Sequence, residues 1–259
     1  YLALIFGAPL ACIWSAITFA GLDQHGLSWV LAMLSPFAYL GMACALCRPH
    51  VRHVVEARMP VDLGLQAYFH RRFYGLCWTA IYYSGPLYYL VLSCPTLKTL
   101  VFRAFGYRGP MNFTIYPDTW LRDLPLVHFG EGSYLSNKAT IGSNMIFIRN
   151  GVKMIEVGSV RVGSNALVGH LTMVGPSTVI EDDVQIGVGC GIGRRSHIGA
   201  GAIIGDVVVL DHGSRVDAGC VLPTRAYVGM GCRVRRETDV VPAGSILRKQ
   251  SPQRVAVTA

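Results

Sequence analysis

From Val162 to Arg233 the chain repeats every six residues. Twelve hexads begin at positions 162, 168, 174, 180, 186, 192, 198, 204, 210, 216, 222 and 228, and each of these residues is Val, Ile or Leu. Glycine fills eight of the twelve second positions, and the fifth is always Ala, Ser, Thr, Cys or Val. A period of six fits neither the 3.6 of a helix nor two-residue strand alternation, and it is a signature of a β-helix. Each hexad then supplies one short strand and a corner, and three hexads close a triangular turn. Successive turns stack about 4.8 Å apart. The first residue is expected to point into the core, the fifth to fit where the chain bends, and glycine to relax the corner backbone. Phe129, Leu135 and Ile141 carry the same phase upstream. The 21 residues from Ile141 to Val162 are not a multiple of six, so an insertion must interrupt the coil. It is expected as a loop near 147–156, where Arg149, Asn150, Gly151 and Lys153 cluster.

The front of the chain has a different pattern. Residues 1–22 and 28–47 contain no charged side chain, and each run can span about 30 Å of hydrocarbon as a helix. Asp23, Gln24, His25 and Gly26 read as the turn between them. The pair is expected to be a transmembrane hairpin over 1–48 rather than a cleaved signal. Five arginines between 48 and 72 face only Glu56 and Asp62, whereas the 23–26 turn has no Lys or Arg. Positive-inside bias puts both outer ends of the hairpin, and the β-helix with them, on the cytoplasmic side.

Residues 73–97 are uncharged but interrupted by Gly85 and Pro86 and rich in Tyr and Trp. A re-entrant or interfacial pair of helices is expected there, so that 49–110 forms a basic, aromatic membrane-interface segment. The β-helix is expected over 111–246 and a tail over 247–259.

Composition agrees with this division. Of 259 residues 52% are hydrophobic and 15% charged, and mean hydropathy is +0.41. Eight of the positive and two of the negative side chains lie in 48–108, so most of the net charge of +8 is next to the membrane segments. That placement suits anionic lipid headgroups and is not read as nucleic-acid binding. Cys190, Cys220 and Cys232 occupy small fifth positions, and Cys44 and Cys47 sit inside a predicted span, so neither a disulfide framework nor a metal site is expected. The fold class is therefore an α+β membrane protein: a helical hairpin and interfacial helices followed by a parallel β-helix.

The hexads resemble those of the hexapeptide-repeat acyltransferase superfamily, whose solenoid is left-handed, and that handedness comes from the resemblance. The resemblance covers about residues 126–246. It implies a trimer or pseudo-trimer, an acetyl-CoA or other acyl-thioester donor, and a catalytic histidine at the third position of a hexad. VGHLTM followed by VGPSTV puts His170 in that place, and LDHGSR puts His212 in an equivalent one behind Asp211. A neutral imidazole can take the proton of an acceptor hydroxyl or amine as it attacks the thioester. Those families often place an aspartate after the histidine, where this chain has Leu171. His197 falls at a sixth position, His128 at the start of the coil, and His25, His50, His53 and His70 near the membrane segments. The zinc site of γ-class carbonic anhydrases resembles two histidines five apart plus a third, a spacing that the histidines from 128 onward lack.

The whole layout, with the run RNGVKMIEVGSVRVG from Arg149 to Gly163, is similar to the membrane-bound C-terminal units of poly-lysine synthetase-type nonribosomal peptide synthetases. Asn144 stands where that family has a histidine. The function expected is acyl transfer from CoA or a carrier protein to a hydroxyl or amine of a membrane-proximal small-molecule, peptide or glycan acceptor. Asn144, Arg149 and Lys153 are candidate substrate-binding residues. The alternatives are a non-catalytic scaffold at a membrane, and a peptide-synthetase terminal domain forming amide bonds.

Overall fold

The computed structural model describes residues 1–22, 25–235 and 246–247. Two compact units are formed, one from residues 1–109, 122–127 and 146–157, the other from 110–121, 128–145 and the described residues from 158 on. Asp23, Gln24 and the expected tail beyond Leu247 lie outside the described residues.

In the first unit α1 (Leu2–Gly21) and α2 (His25–Val51) are both long and apolar enough to cross a membrane. His25 and Gly26, expected in the turn, already belong to α2. The helices run antiparallel, with Phe6 edge-on to Tyr39 and the Tyr1 hydroxyl 2.6 Å from His50 Nε2. Trp14, Trp29 and Met33 project outward uncovered.

The apolar stretch that follows breaks at Gly85–Pro86 and Cys94–Pro95 into α3 (Gln66–Tyr83), α4 (Gly85–Ser93) and α5 (Pro95–Ala104). A proline opens α4 and α5, where its missing N–H costs nothing. Midway along α3, Phe73 packs on Tyr1. Nearer its C-terminal end, Tyr39 donates to the Ala80 carbonyl at 2.8 Å. The chain then turns back, bringing Tyr88, Phe102 and Phe105 edge-on around Trp78. Of the aromatic residues expected at a membrane interface, Tyr74, Trp78 and Tyr88 are buried in the core of this unit, while Tyr83 and Tyr89 are exposed.

The insertion is a hairpin rather than a loop. Strands Asn144–Arg149 and Val152–Val157 turn at Asn150 and Gly151, both with positive φ. A third strand, Ala57–Pro60, pairs antiparallel with the second, setting Ala57 opposite Val157 and Pro60 opposite Met154. Pro60 lies on an edge strand, where no ladder donor is needed. This sheet joins segments almost a hundred residues apart, a pairing that local pattern does not carry.

The second unit is a parallel solenoid with three faces. Face one stacks the strands ending at Ile115, Leu135, Val168, Ile186, Ile204 and Leu222. Face two stacks those ending at Leu121, Ile141, Val174, Ile192, Leu210 and Val228. Face three stacks those ending at Phe129, Val162, Ile180, Ile198, Val216 and Val234. Every predicted first-position residue is buried, and so is every fifth-position residue except the half-buried Cys232. Two strands, Thr114–Ile115 and Trp120–Leu121, form the first turn ahead of the hexads whose phase is visible in the sequence.

The corners differ from expectation in which residue bends. All twelve fourth positions, from Asn165 to Gly231, have positive φ, and seven of them are not glycine. The second-position glycines lack positive φ and serve a different need. A Cβ on Gly199 or Gly205 would lie within 3 Å of backbone atoms of the next coil. Stacking at this separation leaves no room for a side chain there.

Candidate functional site

The three edges of the solenoid carry different chemistry. The edge between faces one and two bears His170, Leu171, Val188, Asp206 and Val207 at its corners. Leu167, Met173, Ile203, Val209 and Val221 are exposed beside it. The edge between faces two and three bears Arg194, Arg195 and His212, and the third bears Glu181, Asp182, Asp183 and Asp217. Apart from Met230, the large exposed apolar side chains of the regular coils lie on this edge and its two flanking faces.

His170 is held by its backbone, since its carbonyl accepts Gly189 N–H at 2.8 Å and Leu171 N–H donates to the Asn137 carbonyl at 3.2 Å. Leu171 follows with φ of 59° and its side chain 57% exposed. The His170 imidazole is exposed and has no hydrogen-bond partner among the described residues. Register places Asn137 one coil below it and Val188 one coil above. The Asn137 Oδ1 atom is buried without a partner among the described residues.

His212 is more firmly set. Asp211 accepts the His212 backbone N–H at 2.6 Å and the Tyr227 hydroxyl at 2.9 Å. These bonds, the backbone one first, hold the Asp211 carboxyl below its usual range. The His212 ring rests on Gly193, with Nδ1 buried and 3.8 Å from Asp211 Oδ1. His170 and His212 occupy different edges, so one chain does not bring them together, in keeping with their spacing.

The insertion residues separate as well. Asn144 leaves face two at the edge that carries His212, whereas Arg149 and Lys153 are exposed on the hairpin of the first unit. The Lys153 carbonyl accepts Val61 N–H at 2.9 Å, a strand contact. His128 lines a shallow cavity of about 300 Å³ with Arg161, Glu181 and Asp182. His197 pairs with Glu181 at 3.1 Å. Cys190 fills a corner, its Sγ 3.1 Å from the Gly205 carbonyl, and burial pushes its thiol pKa up.

Two cationic groups in the first unit are legible only in part from the sequence. Four of the expected basic residues, Arg48, Arg52, Arg103 and Arg108, meet in one cavity of about 930 Å³ with Glu56. Deeper in this unit Arg71 donates to Asp123, both buried, and Arg122 lies alongside. His50 Nδ1 is 2.8 Å from His70 Nδ1, and His70 stacks on His53, a cluster that sequence spacing does not reveal.

Period, register and buried first positions together decide the architecture of the second unit. It is a parallel β-helix built of hexapeptide repeats. No family model and no curated protein matches the chain. Among solved structures, a GDP-perosamine N-acetyltransferase variant from Caulobacter crescentus, in complex with CoA and GDP-perosamine, is 21% identical with a TM-score of 0.33. The acetyltransferase domain of PglB from Neisseria gonorrhoeae, in complex with acetyl coenzyme A, is 18% identical with a TM-score of 0.36. Both matches cover 58% of this chain and 60% of the other. A UDP-N-acetylglucosamine acyltransferase from Bacteroides fragilis is 18% identical over 46% of this chain and 52% of its own, with a TM-score of 0.29.

Proposed function

We propose that this chain is a membrane-anchored acyltransferase that works as a homotrimer and uses His170 as its general base. The observation that carries the reading is His170 itself, an exposed imidazole without a hydrogen-bond partner among the described residues, on the apolar edge of the solenoid. An edge rich in exposed apolar side chains is suited to burial against another subunit. A second copy seated there encloses His170 in a cleft and limits water access.

In the reaction, the acceptor hydroxyl or amine attacks the carbonyl carbon of an acyl thioester such as acetyl-CoA. His170 removes its proton as the bond forms. Collapse of the tetrahedral intermediate breaks the C–S bond, and the imidazolium returns the proton to the departing thiolate. The apolar helices α1 and α2 anchor the chain, and the basic segment from Arg48 to Arg108 keeps the solenoid on the cytoplasmic side. The acceptor is then membrane-proximal, with Asn144, Arg149 and Lys153 available to bind it or the donor. The absence of a carboxylate next to His170 favours the second reading, a non-catalytic scaffold.

Val221→Glu tests the assembly, because Val221 is 62% exposed on face one, three coils above the His170 level. The variant is expected to sediment as a monomer and to lose acetyl-CoA turnover. A fully active monomer would overturn the trimer.

A further inference from the structure

Arg122 is a cation short of counter-charge. Its side chain is only 19% exposed, and its Nε is buried with no hydrogen-bond partner among the described residues. The nearest carboxylate oxygen, Asp123 Oδ1, is 3.8 Å away, and Asp123 already accepts from Arg71. Arg71 and Arg72 add like charge nearby. Desolvation, the largest cause, pulls the Arg122 pKa down, and the attraction of Asp123 opposes it only in part. An arrangement of this kind stores unfavourable charge until an anion joins it.

The notch that holds Arg122 is specific to glycine. A Cβ at Gly75 on α3 would overlap the Arg122 guanidinium, so the side chain can lie flat on the helix only there. Arg72 and Arg122 form one end of a cavity of about 460 Å³ that follows α3 from Arg72 to Ser84. Those twelve residues advance about 18 Å along the helix axis. Leu2 and Phe6 of α1, with Leu76 and Tyr83 of α3, provide apolar walls. The cavity is cationic at the end formed by Arg72 and Arg122 and apolar where Leu2, Phe6, Leu76 and Tyr83 line it.

We propose that this groove binds an anionic phospholipid, its phosphate on Arg72 and Arg122 and an acyl chain against Leu2, Phe6 and Leu76. Both the charge and its gradient along the spans match such a molecule. A soluble phosphate would satisfy the arginines but leave the apolar walls uncovered. The choice of a lipid rests on α1 and α2 lying in a membrane.

Native mass spectrometry of the full chain, delipidated in neutral detergent, tests the site with dioleoylphosphatidylglycerol, dioleoylphosphatidylcholine, inorganic phosphate and CoA. The wild type is expected to retain one phosphatidylglycerol about tenfold more strongly than phosphatidylcholine. Gly75→Ala displaces only the mobile end of Arg122 and improves helix propensity, so it should fold while losing that preference. Arg72→Gln, at an exposed position, should weaken it in the same direction. Equal retention of both lipids, undiminished selectivity in both variants, or displacement of the lipid by phosphate or CoA would overturn the proposal. Flotation with vesicles reports the membrane reading separately: wild type and Gly75→Ala should float alike, and failure of both to float contradicts the anchor rather than the groove.

Discussion

Asn137 lies one coil directly below His170, with its amide Oδ1 buried and unpaired among the described residues. Coils are about 4.8 Å apart, so a charge at position 137 falls within the range that shifts an imidazole. Asn137→Asp puts there the carboxylate that this chain lacks beside His170. A nearby negative charge favours the protonated ring, raising its pKa, and the neutral base then appears only at higher pH. The acid limb of the pH–rate profile is expected to move up by about 1 unit, while Asn137→Leu leaves the limb in place. An unmoved limb in Asn137→Asp would remove His170 from the rate-controlling proton transfer.

Gly169, next to His170, faces the backbone of the coil above. An added Cβ would overlap the Gly187 carbonyl oxygen and lie 2.7 Å from that of Ile186, atoms that cannot rotate away. Gly169→Ala is therefore expected to cost about 1–3 kcal/mol, read as a lower midpoint in thermal or chemical unfolding. A midpoint equal to the wild type would mean that the coils separate more easily than their register indicates.

Val207 occupies a corner at φ 57° on the same edge. A β-branched residue is strained in that region, whereas glycine is not. Val207→Gly is expected to gain about 1 kcal/mol after allowing for the greater freedom of glycine in the unfolded chain, seen as a higher melting temperature. Val207→Ile should bring no such gain, because it keeps the branched Cβ.

Lys98 on α5 is buried, and desolvation lowers its pKa from 10.5 to about 8. Between these values the unfolded chain binds more protons than the folded one, so stability rises with pH across that window. Below about pH 8 the penalty is fully present. Lys98→Met is expected to raise stability at pH 7 by about 1–2 kcal/mol, allowing for solvent at the ammonium, and the advantage should fade towards pH 10.5. Melting curves of both proteins at pH 7, 9 and 10.5 measure it.

The solenoid is legible because six-residue spacing gives every position a fixed environment. Val162 and Ile198 stand thirty-six residues apart yet meet the same core. Ile115 and Leu121 share that environment, but the excursion from Arg122 to Val127 breaks the phase before Phe129 and hides them. The repeated glycines are equally plain in the sequence, but their physical role is not. Gly169 permits close stacking, while the bend falls on Leu171. The hairpin around Asn150 and its pairing with Ala57–Pro60 depend on contacts across a long separation in sequence. For the same reason nothing local shows that Arg122 rests on Gly75. His170 is marked by its hexad position, whereas the apolar edge around it emerges only when the coils are stacked.

Release of free CoA from acetyl-CoA, measured for the membrane-reconstituted wild type and His170→Ala with a panel of amine and hydroxyl acceptors, addresses the proposed activity directly. The wild type is expected to turn over with at least one acceptor class, and His170→Ala to bind acetyl-CoA normally but to turn over about 10²–10⁴-fold more slowly. Unchanged turnover in His170→Ala, or a wild type that neither binds acetyl-CoA nor releases CoA, would contradict it.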